Sequence, residues 1–193
     1  MCRIKMLNRV SLDGYFAGAD EASMGMDWFI HDPEVDAAAH TMGGRMEMLL
    51  LGGETFRLFE RYWTPFLQDP HAPKHLKATA EELTAMTKLV FSTTLPSSDW
   101  ANTRIHRGNL PETVREWKQR FRSDILVLGS GSIVQQLALE NLIDEYIFIV
   151  TPVVVGGGKR LFPDGTRFEL QLKAAQSFDS GNILLHYERK KGN

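Results

Sequence analysis

Residues Ile125–Gln136 read ILVLGSGSIVQQ, a short apolar run that meets two glycines and then a segment able to open a helix. That is the layout of a buried strand feeding a phosphate-binding turn. The dinucleotide fingerprint requires glycine at its first, third and sixth positions. Gly129 and Gly131 supply the first two, but Val134 stands at the sixth. The fingerprint is absent, yet the physics behind it persists. A glycine turn before a helix leaves backbone N–H groups free and presents the positive end of the helix dipole. Ser132 and Gln135 have the spacing of a capping box, which predicts a helix beginning behind Ser132.

A second junction of the same design lies at Leu51-Gly52-Gly53-Glu54-Thr55. Either junction alone reads equally well as a strand end and a helix start built for stability. Two together point to an extended anion such as a pyrophosphate. Gly156-Gly157-Gly158-Lys159 lacks the spaced upstream glycine and the following Ser or Thr of a P-loop, and reads as a tight turn.

Strands and helices alternate around these junctions. Arg3–Val10, Glu47–Leu51, Lys88–Ser92, Ile125–Leu128 and Glu145–Val155 carry strand patterns. Helical spacing marks the stretch from Asp32-Pro33 to Met42, then Thr55–Trp63, Lys74–Met86, Pro111–Phe121 and Ile133–Leu142. Asp179-Ser180-Gly181 separates Phe168–Phe178 from Asn182–Arg189 as a hairpin turn would. This order predicts an α/β fold, a largely parallel sheet covered on both faces with an antiparallel C-terminal hairpin.

A chain of 193 residues is long enough for one domain, 1–193, to bury its own core. A formal charge of −2 offers no global positive field, so nucleic acid is not an expected partner. The basic tail Arg189–Lys191 reads as a solvated end. Cys2 is the sole cysteine, which rules out an internal disulfide and suggests a reducing, cytoplasmic setting. The longest apolar-rich run, Tyr146–Val155, is half the ~20 residues a membrane span needs, and no signal-peptide core precedes the first strand.

The segments VSLDGYFAG, LLLGGETF, LVFSTTL and Ile125–Phe162, with the closing hairpin, resemble the dihydrofolate reductase-like superfamily. The branch most similar is the reductase domain of bifunctional riboflavin-biosynthesis deaminase-reductases. The resemblance runs in order along nearly the whole chain, with Trp63–Leu83 its least diagnostic part. It implies a three-layer α/β/α sandwich with a mixed sheet, and NADPH lying across the strand ends. The pyrophosphate would then rest between the helix starts at Gly52, Gly53, Glu54 and Thr55 and at Gly129, Ser130, Gly131, Ser132 and Ile133. Ser92, Thr93 and Thr94 would lie near the adenosine 2′-phosphate. It also implies a homodimer, as is common among such relatives. Where the family carries Gly-Arg-x-Thr, this chain has Gly53 in place of the arginine, with Arg57 and Arg104 as possible substitutes.

On the substrate side, Asp13 and Asp32 are candidates to bind or protonate a polar heterocycle, Trp28 to stack on its ring, and Thr151 to face it from a strand end. Each also has a plain structural reading: turn former, N-cap, core lid and strand residue. Met24 and Met26 suggest an apolar lid. His71 and His75 have helical metal-ligand spacing, but Pro73 lies between them and no third ligand is evident, so no metal is expected. The expected activity is reduction of a pterin- or pyrimidine-like heterocycle, as in the 5-amino-6-(5-phosphoribosylamino)uracil reductase domain. The alternatives are a true dihydrofolate reductase and a non-catalytic nucleotide-binding sensor or structural dimer.

Overall fold

A computed structural model describes residues 2–20, 25–44 and 46–190. Its main sheet has eight strands: β1 (Ile4–Ser11), β3 (Met48–Gly52), β4 (Thr87–Phe91), β5 (Thr103–His106), β6 (Ile125–Leu128), β7 (Glu145–Thr151), β9 (Leu170–Ser177) and β10 (Ile183–Arg189). Their spatial order is β5-β4-β3-β6-β1-β7-β10-β9. The pairings from β5 to β7 are parallel, whereas β10 runs antiparallel to both β7 and β9. A separate ribbon pairs β2 (Tyr15–Ala17) with β8 (Lys159–Arg160).

The period-2 alternation of the strands divides the core. Leu49, Leu51, Leu126 and Ile147 face the layer of α1 (Pro33–Gly43), α2 (Gly53–Gln68) and α3 (Lys74–Ala85). Ile4, Met6, Ile125 and Val127 face the layer of α4 (Leu110–Arg120) and α5 (Gly131–Leu139). The fold is therefore α/β/α with a mixed sheet and a C-terminal antiparallel hairpin, as the strand-helix alternation predicts.

Two local readings are corrected. No capping box forms at Ser132: α5 starts at Gly131, two residues before the expected Ile133, with Ser130 as its N-cap. Gln135, the other half of that expected box, donates its side-chain amide to the Arg160 carbonyl at 3.0 Å instead. The strand β5 has no counterpart in the periodicity analysis, because its Thr-Arg-Ile-His sequence offers one aliphatic residue on an edge. Met24 and Lys191 lie outside the described residues.

Candidate functional site

Strands β3 and β6 are parallel neighbours, so their C-terminal ends emerge side by side. The chain then departs to opposite faces: Phe56 carries α2 into one core layer, and Ile133 and Val134 carry α5 into the other. Such a switch point opens a crevice at the carboxyl ends of the strands, flanked by two helix N-termini.

Neither N-terminus is capped by a side chain, in contrast to α1, where Asp32 accepts from the Glu34 N–H, and α4, where Asn109 accepts from the Glu112 N–H. The first amides of α2 and α5 thus keep their capacity to bind an anion. Gly129 and Ser130 both have φ of 57°, the left-handed region, which Gly129 enters without a Cβ penalty. Ser130 is buried, and its hydroxyl accepts the Gly52 N–H at 2.8 Å. The two junctions are therefore joined directly.

The glycines are also where neighbours approach most closely. A Cβ on Gly53 would stand 2.6 Å from the Ser92 Oγ and 2.8 Å from its Cβ. One on Gly129 would lie 3.4 Å from the Thr55 Cγ2. One on Gly131 would meet the Phe16 ring at 2.3 Å. Ser92 folds its own loop, its Oγ accepting the N–H groups of Thr94 and Leu95 at 3.3 and 3.0 Å. Arg57, one helical turn beyond Gly53, donates to the Thr94 Oγ1 at 3.1 Å, while Arg104 points from β5 and is exposed. Glu54, Thr93 and Ser132 are exposed at the rim and Ile133 is buried under it. The residues expected around a pyrophosphate and its adenosine loop are thus gathered into one region.

A second group forms at the ends of β1, β7 and β10. Thr151 is fully buried and donates to the Asn182 Oδ1 at 2.9 Å. Asn182 donates to the Ser180 Oγ at 3.0 Å, and Ser180 in turn donates to the Asp32 Oδ2 at 2.5 Å. Arg9 closes the group, with Nη1 within 3.3 Å of Thr151 Oγ1, 3.1 Å of Asn182 Oδ1 and 3.2 Å of the Ile30 carbonyl. Its Nη2 reaches the Asp36 Oδ1 at 3.4 Å, and the guanidinium lies over Phe29. The Ser180 hydroxyl, with the Glu34 and Val35 amides, holds the Asp32 carboxyl below the usual range. Thr151 and Asp32, distant in sequence, thereby belong to one hydrogen-bonded chain.

Asp13 and Trp28 stand apart from that chain. Asp13 accepts from the Ser11 hydroxyl at 2.6 Å and from the Val155 and Gly156 N–H groups at 3.1 and 2.8 Å. These donors, the hydroxyl foremost, push its pKa down to about 2. Trp28 is 8% exposed and spends its indole N–H on the Gly25 carbonyl at 2.6 Å. Arg9, Asn8, Ser180, Asn182 and Phe16 were not singled out from the sequence. The available signal was Asn8, a polar residue in the every-second-residue series Ile4, Met6, Asn8, Val10 of a central strand.

A family model described as the RibD C-terminal domain matches residues 4–184. The chain belongs to the RibD C-terminal domain family. Its relatives include the uncharacterized protein YyaP of Bacillus subtilis, 30% identical over 179 residues that cover 92% of this chain and 90% of YyaP. Among solved structures, a pyrimidine reductase-like protein from Corynebacterium diphtheriae shares the fold of this RibD C-terminal domain with a TM-score of 0.66 and 14% identity, covering 99% of this chain and 93% of that one. Dihydrofolate reductase from Enterococcus faecalis, solved with NADP(H), aligns with a TM-score of 0.62 at 12% identity, covering 98% and 97%. The dihydrofolate reductase-like fold is thus shared across these chains.

The residues present suit a dinucleotide. Two helix starts without side-chain caps, at neighbouring strand ends, can take a pyrophosphate. Asn8, 4% exposed, leaves its Oδ1 unpartnered next to the same junction. No helix among the described residues is long and apolar enough to cross a membrane.

Proposed function

We propose that this protein is a reductase that uses NADPH to reduce a small pterin- or pyrimidine-like heterocycle. The observation that carries the reading is the pair of side-chain-free helix N-termini at neighbouring strand ends, tied by the Gly52 N–H to Ser130 Oγ bond. When bound, the nicotinamide supplies the hydride. Gly52–Thr55 and Gly129–Ile133 hold the pyrophosphate. Ser92, Thr93 and Thr94 line the adenosine side, where Arg57 beside Thr94 offers the cation that Gly53 cannot. Asp32, held ionised by Ser180, suits an N–H or amino group of the heterocycle. Asp13 fixes the 155–156 turn at the edge of the crevice.

A second reading, a nucleotide-binding sensor without catalysis, draws support from the internal use of the Thr151 hydroxyl and of both Asp13 oxygens. Titration with NADPH and NADH, followed by tryptophan fluorescence, tests the common part. Binding with NADPH favoured is expected, and no binding of either at millimolar cofactor defeats both readings. Oxidation of NADPH by dihydrofolate or by the riboflavin-pathway ribosylaminopyrimidine then separates enzyme from sensor.

The working form is inferred to be a homodimer. Phe148, Val150, Leu172, Ile183, Leu185 and Tyr187 share one face of β7, β10 and β9 by register, and none is charged. Leu172 and Ile183 remain 52% and 39% exposed. The one charge on this face, Arg189 at its end, is turned onto the Ala138 carbonyl and the Phe168 ring, so a second copy of the same largely apolar face is the occupant that matches it.

A further inference from the structure

Asn8 sits within β1, almost wholly buried, with its side-chain Oδ1 lacking any hydrogen-bond partner. An unmet buried amide is costly, and an aliphatic side chain of similar size would fill the same space without that cost. Its position identifies what could meet it. Ile4, Met6 and Val10 pack into the core layer of α4 and α5, and the two-residue repeat puts Asn8 on the same face. On one side its register partner is Phe148 of β7. On the other, Leu7 pairs with Leu128, the last residue of β6, so the position level with Asn8 is Gly129, where the chain leaves the sheet. The amide is therefore level with the junction that opens α5, on the side of the sheet to which α5 departs.

We propose that Asn8 is a ligand-binding residue whose amide hydrogen-bonds the carboxamide of the nicotinamide ring. This rests on the reading of the site as a dinucleotide cradle. The sheet order β4-β3-β6-β1 decides which half of the dinucleotide it meets. With the pyrophosphate at the β3 and β6 ends and the adenosine toward the Ser92–Thr94 loop after β4, the remaining half extends toward β1. A carboxamide is neutral and planar, and it both donates and accepts, so either end of the Asn8 amide finds a complement. Phosphate oxygens are served instead by the helix amides.

The test compares Asn8→Leu with the unaltered protein in binding NADPH and 2′-phospho-ADP-ribose, which keeps the adenosine and pyrophosphate but lacks nicotinamide. NADPH affinity is expected to fall about tenfold. Affinity for the fragment is expected to stay unchanged, and the ligand-free variant to melt at or above the original temperature. Unchanged NADPH affinity, or equal loss for both ligands, overturns the proposal. Asn8→Ala, judged by the same two affinities, decides the matter where leucine is too large to fold. If the unaltered protein binds the fragment and NADPH equally well, the cradle stands and the carboxamide contact fails. If it binds neither, the cradle itself is wrong.

Discussion

The hydroxyl of Ser130 accepts the backbone N–H of Gly52 at 2.8 Å, across 78 residues of sequence. This bond sets the distance between the two helix starts, because Gly52 ends β3 and Ser130 is the residue from which α5 departs. It also explains why a serine tolerates φ of 57° here: the left-handed backbone aims its hydroxyl at a neighbouring strand end instead of capping its own helix.

Replacing that hydroxyl is expected to be costly in a particular order. Ser130→Ala leaves the Gly52 N–H without its partner and keeps the left-handed strain, for a loss of about 2 kcal/mol. Ser130→Gly loses the same bond but relieves the strain, for a loss of about 1 kcal/mol. Urea unfolding of both variants measures the order. Glycine less stable than alanine would mean that the hydroxyl bond and the backbone strain do not act as described.

The contact between Gly53 and Ser92 gives a physical reason for the missing arginine. With the Ser92 Oγ 2.6 Å from where a Cβ would stand, residue 53 has no room for a side chain until Ser92 moves. Gly53→Ala is expected to destabilise by more than about 1 kcal/mol, while the same change in a Ser92→Gly background costs less. A double-mutant cycle read by thermal or chemical unfolding should give a coupling on the order of 1 kcal/mol. Additive effects would show that the two residues accommodate each other freely.

Much of this architecture was legible in the sequence, because strand alternation and helix periodicity report burial directly. Ile125–Leu128, the Asp32-Pro33 helix start and the C-terminal hairpin emerge where the patterns place them. The glycine junctions were legible for the same local reason. What the pattern could not reveal was the partner of each polar group. Ser132 and Gln135 satisfy capping-box spacing, yet Ser130 ends up as the N-cap because its hydroxyl is drawn to Gly52. Gly131 looks like a residue kept small for a ligand, yet the nearest atoms to its absent Cβ belong to Phe16 of the β2 ribbon. The chain Arg9–Thr151–Asn182–Ser180–Asp32 joins four distant segments, and no local spacing encodes it.

Asp13 supplies a pH signature. Its folded pKa is about 2, below the ordinary 3.8, because the Ser11 hydroxyl and then the Gly156 and Val155 amides favour the carboxylate. Its stabilisation is therefore complete above the unfolded value and is lost as pH falls from near 3.8 through about 2. The stability difference between the protein and Asp13→Asn is expected to be constant above that window and to shrink within it. Urea unfolding at a series of pH values checks this. A difference independent of pH across the window would remove the ionic part of the Asp13 contacts to Val155 and Gly156.

The largely apolar face of the hairpin carries the last prediction. Leu172 on β9 lies opposite Tyr187 on β10, and Ile183 on β10 lies opposite Val150 on β7, so both exposed aliphatics project from the same side of the sheet. An interface stable in solution buries roughly 1,200–2,000 Å² in total, and two apolar side chains on each of two copies would lie at its centre. In a two-fold arrangement each substituted position acts twice, so a charge introduced once is buried, or faces its copy, in both protomers. Leu172→Lys with Ile183→Lys is expected to weaken association by at least about a hundredfold while leaving circular dichroism unchanged. Sedimentation equilibrium reads the outcome: a dimer in the unaltered protein and a folded monomer in the variant support the face as the interface. A dimer that survives both charges places the interface elsewhere, and a monomeric unaltered protein at tens of micromolar removes the second copy as the occupant of this face.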